Sequence, residues 1–153
     1  MASINNVSTR SQLRTNIPGD IRVSGRVAAA DATPSLAGKG FTFLPSGVTG
    51  VYYVFFGTGV TATFNGTTGA LLTVTGASEV TNIYGWNLEP LVSDPVTGPR
   101  HLYGLPAAVS IISQPVGLQV KVINPSTGAL SAFANALDGF AFEVTCATTS
   151  VTA

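Results

Sequence analysis

The heptapeptide Phe140-Ala141-Phe142-Glu143-Val144-Thr145-Cys146 decides the fold class. Its bulky apolar residues fall on every second position. Successive side chains of an extended chain point to opposite faces, so Phe140, Phe142, Val144 and Cys146 form one face and Ala141, Glu143 and Thr145 the other. One face is core and one faces out. Leu118, Val120 and Val122 repeat the pattern opposite Gln119 and Lys121, which predicts a second half-buried strand.

Outward from these two strands, short β-branched and aromatic runs alternate with Gly, Pro and Asn clusters. No window of helical length shows a 3.6-residue period between good caps. The runs predict about eight strands: Ile21–Ala28, Gly40–Leu44, Val51–Phe56, Thr61–Phe64, Leu71–Thr75, Ala108–Ser113, Leu118–Ile123 and Phe140–Cys146. Asn65–Gly69 supplies the positive-φ positions of a hairpin, which makes the strands on either side of it antiparallel neighbours. Asn124-Pro125-Ser126-Thr127-Gly128 reads as a turn. Glu89–Pro106 contains Pro90, Pro95, Pro99 and Pro106, and each proline lacks a ladder donor, so this segment reads as a long surface loop and a candidate contact surface. Residues 1–19 are polar and end at Pro18-Gly19, an extended arm ahead of a single body at 20–153. Short antiparallel strands with long cross-connections predict an all-β, two-sheet sandwich, jelly-roll-like, with an immunoglobulin-like arrangement as the alternative.

The chain has 153 residues, one core's worth of sequence. Only 9% are charged, against about 25% in ordinary soluble domains, while the apolar share of 45% is near normal. Such a surface has little repulsion to keep copies apart, which points to a subunit of an assembly. Residues 1–30 carry Arg10, Arg14, Arg22 and Arg26 against Asp20 alone. That is a basic arm, but too few charges for a nucleic-acid footprint. The N-terminus lacks the apolar run of a secretory signal and no stretch of about 18 apolar residues occurs, so the expectation is synthesis in the cytoplasm and no membrane span.

Chemistry is scarce in the sequence. His101 is the only histidine and Cys146 the only cysteine, the latter in a strand where a buried, inert thiol is expected. A Cys-His-Asp set with Asp94 would need a nucleophile signature that does not surround Cys146. The seven carboxylates are scattered, with no two within four residues, so no local calcium loop exists. Gly57-Thr58-Gly59 lacks the third glycine and following helix of a phosphate cradle and reads as a strand connection. The expectation is a protein without catalytic residues, metal or cofactor.

The aromatics leave alternatives open. In Val51–Phe56 one of two sets, Tyr53 and Phe55 or Tyr52, Val54 and Phe56, faces the core, and the other must be covered by a second layer, a subunit or a ligand. Tyr84-Gly85-Trp86 carries the same two readings, core or binding surface. Arg100, His101 and Tyr103 extend the candidate surface along the Pro-rich segment.

The runs Ile21–Ala28, Leu36-Ala37-Gly38-Lys39-Gly40-Phe41, Gly47–Phe56 and Asn124–Gly128 leading to Gly139–Val144 resemble small β-sandwich virion proteins of tailed bacteriophages, among them capsid decoration or cement proteins and related fibre domains. The resemblance covers about residues 20–150. It implies a non-enzymatic, often trimeric subunit on the outside of a capsid, clamping neighbouring capsomers, with the major capsid protein as partner. Arg10, Arg14 and Arg22 would then contact the capsid. The alternative within the resemblance is a tail-fibre or head-fibre domain binding a receptor or glycan through Tyr53, Phe55, Tyr84, Trp86, Arg100, His101 and Tyr103.

Overall fold

Nine strands appear in the computed structural model, which describes residues 20–28, 41–57, 59–76, 80–91, 100–113, 115–133 and 138–148. They are β1 (Asp20–Ala28), β2 (Phe41–Pro45), β3 (Val51–Phe56), β4 (Thr61–Phe64), β5 (Leu71–Thr75), β6 (Val80–Leu91), β7 (His101–Ala107), β8 (Gly117–Ile123) and β9 (Gly139–Thr148). Three strands form one sheet in the order β1-β9-β6, four form a second in the order β2-β3-β8-β7, and β4-β5 is a separate hairpin. Every pairing is antiparallel, and there is no helix among the described residues. The all-β sandwich is therefore the fold.

The two larger sheets face each other across a core of aromatic and β-branched residues. Val27 from β1, Phe41 and Phe43 from β2, Val54 and Phe56 from β3, Leu118 and Val120 from β8, and Phe140, Phe142, Val144 and Cys146 from β9 are buried together. The alternation in Phe140–Cys146 thus translates directly into burial, the Cys146 side chain included, and each large apolar side chain withdrawn from water contributes roughly 1.5–3 kcal/mol. Aromatic edges join the layers, with Phe41 meeting Phe142 at 5.0 Å and 88° and Phe43 meeting Phe140 at 5.8 Å. Gly25 pairs with Phe142, and a Cβ at position 25 would stand 2.7 Å from that ring, so the absence of a side chain admits the aromatic contact.

A third layer covers the other face of the four-stranded sheet. The β4-β5 hairpin lies over β3 and buries Val51, Tyr53 and Phe55 with Val60, Leu71 and Ala107. Tyr53 stacks on Phe64 at 4.8 Å, and its hydroxyl donates to the Gly69 carbonyl at 2.6 Å and accepts from Gln119 Nε2 at 2.8 Å. Strand β3 is consequently buried on both faces, which is why Val51–Phe56 reads as an unbroken apolar run. The buried Thr42 hydroxyl is satisfied where the chain turns into this layer, donating to Gly57 O at 2.8 Å and accepting from Val60 N at 3.2 Å.

The expected hairpin has the expected bounds, β4 and β5, with Asn65 Oδ1 accepting from Thr67 N and Thr68 N at 2.8 and 2.9 Å. The Asn124–Gly128 turn also forms, with Gly128 at φ 75. Two expectations are corrected. Ala108–Ser113 is a turn rather than a strand, and the expected loop Glu89–Pro106 holds the end of β6 and nearly all of β7. Position in the sheet explains both strands, since β6 and β7 are edge strands, where Pro90 and Pro106 need not supply a ladder bond on the open side. Two register shifts in β6, between Val80 and Asn82 and between Ile83 and Gly85, hide its alternation from a period-2 reading. Pro95 and Pro99 lie outside the described residues, as does the 1–19 arm.

Candidate interaction surface

Strand β7 places alternate residues on opposite faces, and the hairpin cluster covers only its last residue, Ala107, on one of them. His101, Tyr103 and Leu105 therefore stand in solvent, Tyr103 at 59% and Leu105 at 58% exposure, while Leu102 packs against the core. Tyr103 pairs with Lys121 and Leu105 with Gln119 on β8.

The chain then enters a tight turn. Ser113 N donates to Ser110 O at 3.0 Å and the two serine hydroxyls are 2.9 Å apart, so the loop is closed by backbone and side chains at once. Ile111 and Ile112 occupy its apex. Ile111 is fully exposed and Ile112 92% exposed, in positions where Gly, Asn, Asp or Pro is the usual choice. Beside the turn, a cleft of about 390 Å³ runs from Leu105 past Ala108 and Val109 to the end of the hairpin at Ala70 and Leu71. Tyr53 and Gln119 line it, already hydrogen-bonded to one another. Burial pushes the Tyr53 hydroxyl above its ordinary value, an effect only partly offset by its hydrogen bonds with Gln119 and the Leu71 backbone, and burial raises Tyr52 as well.

The residues singled out from sequence do not gather into one patch. Tyr53 and Phe55 are corrected: both are buried within the chain beneath the hairpin, at 1% and 0% exposure, so neither ring is an exposed platform, and Tyr53 reaches only the floor of the cleft. Tyr84 and Trp86 lie on β6 and are exposed. The Trp86 indole rests on Gly104, where an added Cβ would come within 2.5 Å of it, so it sits on the opposite face of β7 from Tyr103. Arg100 turns towards residue 132, with Nε donating to the Ala132 carbonyl at 3.4 Å. Arg22 forms a solvated ion pair with Glu143 at 3.9 Å, a contact worth about 0–1 kcal/mol. Arg10 and Arg14 lie outside the described residues.

Leu105, Val109, Ile111 and Ile112 were missed by sequence reasoning. Their signal was present in Ser110-Ile111-Ile112-Ser113 followed by Pro115, an apolar pair framed by turn formers, but β-branched side chains made it resemble a strand. Among the described residues no group of three or more His, Cys, Asp and Glu is placed to hold a metal ion, and no helix is long and apolar enough to cross a membrane. No protein-family model, no curated protein and no solved structure matches the chain.

Proposed function

We propose that the chain is a structural, non-enzymatic subunit of a tailed-bacteriophage virion, a capsid decoration or cement protein. It would bind the outer shell through the major capsid protein and stabilise contacts between capsomers. The observation that carries the assembly role is the apex of the 110–113 turn, where two isoleucines stand in water. Covering each would recover on the order of 1.5–3 kcal/mol, and a free-standing monomer gains nothing from leaving them there. The step from assembly subunit to virion rests on the resemblance of 21–28, 36–41, 47–56 and 124–128 leading to 139–144 to small phage β-sandwich proteins. In this reading the arm with Arg10 and Arg14, continued by Arg22 at the start of β1, lies along the capsid and makes charge-assisted hydrogen bonds.

Imaging of purified particles tests this directly. Ordered density on the capsid shell is the expected result, and a chain found only free in infected cells overturns the proposal. Deleting residues 1–19 should remove the chain from shells, and undiminished binding would retire the arm's part. A second reading, a fibre domain that binds a glycan, is favoured by the exposure of Tyr84 and Trp86 on β6. Density at a fibre tip, with attachment lost in a Tyr84→Ala and Trp86→Ala double variant, would select it.

A further inference from the structure

We propose that the Ile111-Ile112 turn and the cleft beside it form a self-complementary surface through which two copies of this chain pair about a two-fold axis. A projecting apolar knob and an apolar hollow lie next to each other on one molecule: Ile111 is part of the cleft wall, and Ile112 stands beyond it. A surface that carries both shapes side by side meets its own copy with each knob entering the other's hollow, which is the geometry of an isologous contact.

Area and charge favour the same occupant. Tyr103, Leu105, Val109, Ile111 and Ile112 expose on the order of 500 Å² of mostly apolar surface, and the cleft walls extend this towards the roughly 800 Å² per partner of a standard interface. Among the described residues, no charged side chain lines the cleft or forms the turn. A partner of opposite charge finds only Lys121, beside Tyr103 at the margin, whereas a second copy of a chain with zero net charge meets little repulsion across the cleft and turn. The two Ser110–Ser113 hydrogen bonds hold the knob in shape before contact, which lowers the ordering cost of association.

Sedimentation equilibrium of the purified full chain reads the outcome. The expected species is two chains, and both Ile111→Ser/Ile112→Ser, which blunts the knob, and Ala108→Trp, which fills the hollow, should reduce it to one chain. Unchanged denaturation midpoints of the two variants establish that they fold. A wild-type chain that is monomeric, a species of any other size, or a two-chain species insensitive to both variants overturns the inference. The pairing draws on the same exposed turn as the virion reading, and the outcomes separate the two: a monomer found on shells sinks the pairing alone, and a dimer absent from particles sinks the virion role alone.

Discussion

The Tyr53 hydroxyl donates to Gly69 in the hairpin and accepts from Gln119 on β8, so one oxygen ties the third layer to the sheet beneath it. Tyr53→Phe keeps the ring stack on Phe64 but strands a carbonyl and an amide, and should destabilise the fold by about 1–2 kcal/mol in urea titration. The same group makes stability depend on alkaline pH. A tyrosine is neutral when protonated, and burial raises the folded values of Tyr52 and Tyr53 above the unfolded value near 10. The native chain therefore holds these protons after the unfolded chain has begun to lose them. Their contribution is fully present below about pH 10 and is lost as pH rises through the raised folded values. Denaturation midpoints should fall across that range, with a shallower fall in Tyr53→Phe, and an identical slope in the variant would contradict this assignment. Gly104 gives a third readout at this scale. Gly104→Ala pushes a Cβ into the only tryptophan of the chain, so the Trp86 emission should move to longer wavelength while the fold persists.

At the scale of elements, the β4-β5 hairpin answers the question that the Val51–Phe56 run left open. Both aromatic sets are covered by the chain itself, Val54, Phe56 and the partly buried Tyr52 against the three-stranded sheet, and Tyr53 and Phe55 beneath the hairpin. Alternation shows that a strand has two faces and says nothing of what lies on each, because the covering residues are distant in sequence: Leu71 and Phe64 on one side, Phe140 and Phe142 on the other. Phe64→Ala should loosen the hairpin from β3 and cost about 2–3 kcal/mol, somewhat below a fully buried Phe because Phe64 is only partly buried. Amide hydrogen exchange should then rise in β4 and β5 before it rises in β9, and uniform exchange across the strands would show that the hairpin is not a separable layer. The two edge strands were the elements least legible in sequence. Pro90 and Pro106 argue against a central strand, and only sheet position reveals that they sit at margins where that argument does not apply.

For the whole molecule, scarcity of charge and the position of exposed apolar side chains point the same way. With 9% charged residues, the chain keeps few surface ions, and the most exposed apolar side chains among the described residues are concentrated at β7 and the 108–113 turn. Association through that surface should be nearly insensitive to salt between about 50 and 500 mM, because screening acts on charges and the cleft has none. A dimer that dissociates steeply with added salt would place the contact elsewhere, for instance on the outer face of the three-stranded sheet, where Arg22 and Glu143 stand.

Sequence alone determined the strand class, the inward set Phe140, Phe142, Val144 and Cys146, the β4-β5 hairpin with its Asn65 turn, and the burial of the lone cysteine. These follow from local rules, a two-residue side-chain period and the φ preferences of Gly, Asn and Pro, which act over a few neighbours. Only tertiary structure decided that Tyr53 and Phe55 are covered by the chain itself, that proline-bearing segments are edge strands, and that Ile111 and Ile112 project from a turn beside an apolar cleft. Each of those depends on which distant segment packs on which face, and burial is a property of that packing and not of the residue that undergoes it.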